Sequence, residues 1–235
     1  MTSRPISLVI SAVLIALGLA SAGYFIGEGI SGRRAGNRII SVKGLSEKEV
    51  PASVATWTIG YTATGNDLGE INRKLADSTK AVLAFLKDAG FAETDMSVQP
   101  PSLRDTSMDV REKDTPPPPE RYRAEQSVLL RTAKVDAIKP ALASASNLMV
   151  SGVLLSGKAE PNYIFNELNE IKPAMIQEAT KNARIAAEQF SRDSQTTLGK
   201  LRNATQGWFQ VENRDAATPE RKIVRVVVDV EYEIN

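Results

Sequence analysis

The sequence RKIVRVVVDVEYEI occupies residues 221–234 and decides the fold class. Apolar side chains recur at every second position, and most of the positions between them carry charge. The apolar set consists of Val224, Val226, Val228, Val230, Tyr232 and Ile234. A period of two is typical of a strand with one face on a core and the other in water. We therefore predict a half-buried strand whose apolar face needs a covering layer.

Further strands are indicated by the same alternation or by short apolar runs between turn residues. They are Arg38 to Val50 with a break at Gly44, Ser53 to Ala63, Met96 to Leu103, Tyr122 to Leu130, Val150 to Ser156, and Leu198 to Val211 with a break at Gly207. Trp57 falls on an apolar strand face and is expected in the core. The strand from Tyr122 is expected to pair with the strand from Met96, which makes residues 104–120 an exposed hairpin loop.

Three segments carry apolar residues at helical spacing. The first runs from Asp67 to Ala89 and ends before Gly90, which suits a left-handed cap whose hydrophobic contact Phe91 would supply. The second runs from Val135 to Asn147, where Pro140 is tolerable only in the first turn. The third is capped by Asn169 and carries a stripe of Met175, Ala179, Ala183, Ala186 and Phe190. Helices intermixed with hairpins predict an α+β fold, in which helices cover one face of a mainly antiparallel sheet.

An apolar segment precedes the folded part of the chain. ISLVISAVLIALGLASAGYFI fills residues 6–26 without a charged residue, and as a helix it matches the hydrocarbon core of a bilayer. Two alternatives stay open. Ala20-Ser21-Ala22 is a small-x-small site of the kind that signal peptidase cuts, whereas Tyr24 to Ile26 prolong the apolar run as in an uncleaved transmembrane anchor, which we favour.

These features predict a signal anchor or signal peptide over residues 1–32 and a folded domain over residues 33–235. The domain is expected in the cell envelope, as a periplasmic domain tethered to the inner membrane, or free in the periplasm if the chain is cut after Ala22. Flanking charge alone favours the opposite orientation, because Arg33, Arg34 and Arg38 follow the segment and only Arg4 precedes it. The exported orientation therefore depends on the short leader and the Ala-x-Ala site.

Composition excludes several classes of chemistry. The chain has no cysteine, which removes disulfides and thiolate nucleophiles, and no histidine, which removes the usual general base near neutral pH. Lys and Arg number 29 against 28 Asp and Glu, so no clustered positive charge points to a nucleic-acid partner. Because no nucleophile motif or phosphate-binding glycine loop occurs either, we predict no catalytic residue, no cofactor and no metal.

The sequence contains two acidic groupings that could carry chemistry. Glu47 and Glu49 alternate onto one strand face, as paired carboxylates of a hydrolase would, but two solvated charges beside Lys48 explain them as well. A second grouping could offer oxygen ligands to a hard cation and consists of Asp105, Asp109, Glu112 and Asp114. Its spacing lacks the glycine and the terminal glutamate of a calcium loop, which favours a solvated loop.

Two other features are candidates for an interface. Pro116, Pro117, Pro118 and Pro119 are pre-organised as a polyproline helix, which docks into aromatic grooves but also serves as a plain spacer. Trp208 and Phe209 follow Gly207, where a turn would leave aromatic side chains exposed for a partner. We take these six residues as the candidate interface.

Several stretches in order resemble the SIMPL-domain proteins of bacterial envelopes. They are ISVKGLSEKEV at 40–50, FLKDAGF at 85–91, EATKNARIAAEQF at 178–190 with Leu198-Gly199 after it, NATQG at 203–207, and VRVVVDVEY at 224–232. The resemblance covers about Ile39 to Ile234. It implies an α+β fold, a periplasmic or membrane-tethered location, a homo-oligomer, links to envelope stress tolerance and no established catalytic residues.

The function expected from both lines of argument is non-catalytic self-association or contact with another envelope protein. A periplasmic module that binds a small ligand or a peptide is the alternative, and a carboxylate-dependent hydrolase is the least favoured reading.

Overall fold

The computed structural model describes residues 15–25, 38–108, 119–157 and 160–235 of the chain. Residues 15–25 are helical. The predicted membrane segment, residues 6–26, lies partly outside the described residues, so its insertion into a bilayer stays a prediction. Within the described ranges, no helix combines the length and the apolar character needed to cross a membrane.

The described residues combine strands and helices in an α+β fold. In chain order the elements are β1 (Ile39–Pro51), β2 (Val54–Gly65), α1 (Leu68–Asp88), β3 (Met96–Val98), β4 (Ser102–Asp105), β5 (Tyr122–Thr132), α2 (Val135–Ser144), α3 (Asn147–Val150), β6 (Leu155–Ser156), β7 (Asn162–Ile164), α4 (Leu168–Asp193), β8 (Leu198–Gln206), β9 (Gln210–Asn213) and β10 (Arg221–Ile234). The strand predicted over residues 221–234 is thus confirmed. The strands form two sheets rather than the single sheet expected from the sequence.

Two compact units divide these elements. The first unit holds the described residues of Met1–Ser46, Ala174–Phe209 and Val226–Asn235, and the second holds those of Glu47–Pro173 and Gln210–Arg225. The strands β1 and β10 and the helix α4 contribute residues to both units.

The second unit is built on β2. This strand pairs antiparallel with β5 from Ala55 opposite Thr132 to Gly65 opposite Tyr122, and with β6 and β7 on its other side. The helix α1 covers the face that carries Trp57, Ile59 and Tyr61, all fully buried, and the Trp57 ring meets that of Phe85 edge-on with centroids 6.3 Å apart. The expected core position of Trp57 is confirmed. Each such side chain stabilises the fold by roughly 2 kcal/mol.

Both ends of α1 follow the local signals in the sequence. The Asp67 carboxylate accepts a hydrogen bond from the Glu70 backbone N–H at 2.8 Å, which caps the first turn. At the other end Gly90 has φ +90°, and the Phe91 N–H donates to the Leu86 carbonyl at 3.1 Å. Leu86 and Phe91 are both buried, so the left-handed cap and its hydrophobic contact are confirmed.

Other boundaries in the second unit differ from the predictions. The strand expected from Met96 to Leu103 is two strands, β3 and β4, because Pro100 and Pro101 interrupt it, and both pair with β5. Pro140 lies inside α2 rather than in its first turn. Because proline has no N–H, the Asp136 carbonyl loses its hydrogen bond within the helix. Asp136 is exposed to solvent, so this loss is tolerated.

The buried strand predicted over Val150 to Ser156 is wrong. Residues Asn147–Val150 form the short helix α3, and only Leu155–Ser156 join the sheet. Gly152 has φ +83° and turns the chain by a left-handed cap, which interrupts the apolar run. Val150 therefore lies in solvent instead of the core.

The first unit packs α4 on a sheet with the strand order β1-β10-β8. The helix begins at Leu168, ahead of the predicted Asn169, and its buried stripe is Met175, Ala179, Ala183, Ala187 and Ser191. The predicted stripe is therefore correct only as far as Ala183, because contact with the sheet continues at a strict four-residue spacing and leaves Phe190 exposed. The Ser46 hydroxyl donates to the Glu178 carboxylate at 2.8 Å, which ties the helix to β1.

The break predicted at Gly44 is also wrong, because β1 continues through it. Glycine is needed at position 44 because β1 and α4 approach each other closely there. An added Cβ would lie 2.6 Å from the Ala183 backbone nitrogen. The Ile234 N–H donates to the Arg38 carbonyl at 3.0 Å, and Lys43 forms an ion pair with Asp229 at 3.3 Å. These contacts make β1 antiparallel to β10.

Candidate interaction surface

The strand β8 is an open edge of the sheet in the first unit. It pairs with β10 from Gln206 opposite Val228 to Leu198 opposite Ile234, and no other described strand adjoins it. Every residue from Lys200 to Gln206 is exposed, so both faces of the strand meet solvent. Its register shifts twice along β10, as bulges produce. An edge strand with exposed N–H and C=O groups is a template for a further strand.

Trp208 stands directly after this strand and is 93% exposed. Gly207 fixes its position, because the Gly207 N–H donates to the Val227 carbonyl at 2.8 Å. An added Cβ on Gly207 would lie 2.6 Å from that same carbonyl oxygen, so glycine is required for this approach. The sequence correctly singled out Trp208 as exposed, while Phe209 is half-buried. We refer to Lys200–Gln206 together with Trp208 as the β8 surface.

The other part of the candidate interface is only partly described. Pro116, Pro117 and Pro118 lie outside the described residues, so their role as an interface stays a prediction. Pro119 is exposed, and its carbonyl accepts a hydrogen bond from Asn66 Nδ2 at 3.2 Å. The Asn66 side chain also accepts from the Arg121 N–H at 2.8 Å, which holds the end of the hairpin loop. Pro119 belongs to the second unit, whereas Trp208 and Phe209 belong to the first.

The paired carboxylates considered for a hydrolase are not equivalent. Glu49 Oε1 accepts from Arg221 Nε at 2.8 Å and from Arg214 Nη1 at 3.0 Å. These two hydrogen bonds lower the pKa of Glu49 below its ordinary value. A general acid needs the opposite shift, because it must hold a proton near neutral pH. Glu49 is therefore a structural ion-pair partner of two arginines.

Asp105, the member of the acidic loop grouping that lies in the described residues, is likewise held by other side chains. Asp105 Oδ2 accepts from Arg121 Nη2 at 2.7 Å, and Asp105 Oδ1 accepts from the Ser107 hydroxyl at 2.6 Å. These bonds place the pKa of Asp105 well below its usual range. Asp109, Glu112 and Asp114 lie outside the described residues. In the described part of the chain, no group of three acidic residues is arranged to hold a metal ion.

Sequence reasoning missed the ion-pair cluster that joins Glu49 to the turn between β9 and β10. Asp215 Oδ1 accepts from the Thr218 N–H at 2.7 Å and from the Ala217 N–H at 2.9 Å. The Thr218 hydroxyl and Arg214 bind its other oxygen, and together they lower the pKa of Asp215 to about 2. The spacing Asp-x-x-Thr before a proline is a turn signal that marks Asp215, but the partner Glu49 is too distant in sequence to be found that way.

Clefts on the second unit are open and shallow. One cleft of ≈ 460 Å³ lies between α1 and the α2–α3 segment, lined by Phe85, Asp88, Ser144 and Asn147 among others. Small-molecule sites are usually enclosed and apolar with a few convergent polar groups. This cleft is open rather than enclosed, so it supports the ligand-binding alternative less well than the β8 surface supports association.

Comparison with known families identifies the family of the chain. The family model described as SIMPL, protein of unknown function (DUF541), matches residues 40–232. The match covers most of the chain, so this chain belongs to the SIMPL family, as its sequence stretches indicated. No curated protein matches the chain.

Proposed function

We propose that this SIMPL-family chain is a non-catalytic envelope protein whose exported domain acts by association through the β8 surface. The partner is a second copy of the chain or another envelope protein. The observation that carries the proposal is the strand β8, which is exposed on both faces and ends beside an almost fully exposed Trp208.

Two features of the β8 surface favour association. A free strand edge gains a row of backbone hydrogen bonds when a further strand joins it. An exposed tryptophan is costly in water and is enriched among the residues that dominate binding energy at interfaces. Because both lie within a few residues of each other, one partner strand could pair with the open edge of β8 and cover Trp208 together.

The proposed location follows from the apolar segment at residues 6–26. As an anchor it would hold the domain at the periplasmic surface of the inner membrane, and after cleavage behind Ala22 the domain would diffuse. Association of tethered copies is favoured, because a common membrane raises their effective concentration. Envelope stress tolerance is the cellular setting that we propose for this association.

A second candidate function is peptide binding by strand addition. The same free edge of β8 favours it, since an extended peptide adds to a sheet edge through backbone hydrogen bonds and places alternate side chains on each face. Self-association and peptide binding then compete for one edge, and a peptide that binds β8 would dissociate the oligomer.

Light scattering on the full chain in detergent, over a range of concentrations, tests the proposal. We expect a concentration-dependent oligomer that Trp208→Ser weakens at least tenfold. Ile185→Ser is the matched control, because Ile185 is an exposed apolar residue on the helix α4 of the same unit. A wild-type chain that stays monomeric at all concentrations would remove self-association, and crosslinking in intact cells would then show whether a different protein occupies β8.

A further inference from the structure

A second exposed apolar feature lies on the second unit. Met149 is 65%, Val150 89% and Leu154 59% exposed to solvent. Single exposed aliphatic residues are common on protein surfaces, but three within six positions form a local patch. We call Met149, Val150 and Leu154 the aliphatic knob.

The knob is held rigidly. The Val153 N–H donates to the Leu148 carbonyl and the Gly152 N–H to the Met149 carbonyl, both at 3.0 Å. This is the two-bond left-handed cap, and its hydrophobic contact joins Leu148 and Val153, which are each 2% exposed. The Leu154 carbonyl accepts from the Thr62 N–H at 2.9 Å, which fixes the chain to the sheet. The knob is therefore a built projection whose side chains stay outside.

The sequence around the knob is free of charge. No residue from Pro140 to Gly157 is ionisable, and the stretch is bracketed by Lys139 and Lys158. The stretch itself therefore brings no ionised group to the boundary of a bilayer, although Lys74, Asp77 and Glu120 line the cleft beside Leu154.

The apolar surface area of the knob distinguishes a protein partner from a bilayer. Three aliphatic side chains present at most a few hundred Å² of apolar surface. A stable protein interface needs roughly 800 Å² from each partner. A bilayer sets no such minimum, because any apolar side chain that reaches the acyl boundary is transferred from water.

We propose that the aliphatic knob inserts into the interface of a phospholipid bilayer. The inference rests on the membrane tether proposed above, because a few aliphatic side chains bind a bilayer only marginally unless an anchor keeps them beside it. The knob would orient the second unit at the membrane surface. Its binding depends on apolar transfer, so it requires neither anionic lipid nor low salt.

The absence of cysteine allows a single label to be placed at any site. The full chain is reconstituted in phosphatidylcholine vesicles with an environment-sensitive fluorophore on Val150→Cys. The matched control carries the same fluorophore on Leu103→Cys, since Leu103 is also exposed (55%) and belongs to the same unit but lies on β4. Flotation of the vesicles reports the tether independently.

We expect the label at position 150 to emit at shorter wavelength than the control and to be quenched at least twofold more by nitroxide-labelled lipid. In a chain labelled at Leu154→Cys, the added change Met149→Asp should return the label to a water-like spectrum. Chains that float while the label at 150 stays in water would overturn the knob alone. A label that is shielded but not quenched by the lipid would show a protein occupant and also overturn it. Chains that do not float would overturn the tether and the knob together.

Discussion

Gly44 on β1 and Ala179 on α4 approach each other so closely that a Cβ on Gly44 would lie 1.8 Å from the Ala179 carbonyl oxygen. The contact is between two backbones, so no side-chain rotation relieves it. The alanines of the α4 stripe serve the same approach, because Ala183 also lies against Gly44. Small residues on both elements thus set the distance between helix and sheet in the first unit.

The first prediction concerns this distance. Gly44→Ala should lower the free energy of unfolding by about 3 kcal/mol or more, since a methyl group must displace a helix backbone. Gly65→Ala is the control, because its Cβ would meet only the Ile71 side chain at an ordinary 3.4 Å. We expect that control to stay within about 1 kcal/mol of wild type. Urea denaturation of both variants measures the difference, and equal midpoints would refute the role given to Gly44.

The sequence specified those elements whose signals are local. The alternation over residues 221–234 and the cap at Gly90 were both predicted correctly, because each depends on residues a few positions apart. Gly44 was taken for a strand break, since the helix that requires it is more than a hundred positions away. Phe190 was placed on the packed stripe of α4 for a similar reason, as the crossing of α4 over the sheet is not encoded in helical spacing alone.

The candidate surface shows the same division. Trp208 was recognised because an aromatic residue beside Gly207 suggests an exposed turn. The aliphatic knob was missed, since Val150 to Ser156 has the composition of a buried strand and only the backbone of Gly152 shows otherwise. The cluster of Glu49 with Arg214 and Arg221 was missed because its members are far apart along the chain.

The second prediction uses the end of α4. Gln195 has φ +56°, and the Thr196 N–H donates to the Ser191 carbonyl at 2.9 Å, so a non-glycine residue occupies the left-handed cap position. Gln195→Gly should raise the free energy of unfolding by about 0.5–1 kcal/mol, because glycine adopts this conformation without strain. Gly90→Ala, at the equivalent position of α1, should lower it by about 1 kcal/mol. Thermal unfolding of both variants measures the effect, and midpoints that shift in the same direction would contradict the prediction.

The third prediction concerns a buried hydrogen bond. The Tyr61 hydroxyl lies 2.6 Å from Thr79 Oγ1, and the Thr79 hydroxyl donates to the Leu75 carbonyl at 2.8 Å. Either hydroxyl can donate in the Tyr61–Thr79 pair, and burial raises the pKa of Tyr61. Tyr61→Phe should lower the free energy of unfolding by about 1 kcal/mol, whereas Thr79→Val should lower it by about 2 kcal/mol, because it leaves the buried Tyr61 hydroxyl without this partner. A double-mutant cycle measures the coupling between the two side chains, and additive losses would contradict a stabilising hydrogen bond.

The fourth prediction concerns the stability of the fold at low pH. The Thr218 hydroxyl and Arg214 lower the pKa of Asp215 from 3.8 to about 2. A lowered carboxyl pKa stabilises the fold above the unfolded value, and this contribution disappears as pH falls through the folded value. Wild type should therefore lose stability between about pH 4 and pH 2, and Asp215→Asn should lose less over that window. Carbon NMR of the carboxyl group gives the direct check, and titration of Asp215 at its ordinary value would disprove the prediction.

The fifth prediction separates a surface role of Trp208 from a structural one. At 93% exposure its ring has little to contribute to folding, so Trp208→Ser should change the free energy of unfolding by less than about 0.5 kcal/mol. Trp57→Phe, a fully buried counterpart, should lower it by about 2 kcal/mol through the cavity that it leaves. Denaturation in detergent at a concentration where the chain is monomeric measures both variants. If the serine variant unfolds far more easily, Trp208 supports its own unit, and weakened association would no longer identify it as a contact residue. If stability is unchanged while association falls, the effect lies at the β8 surface itself.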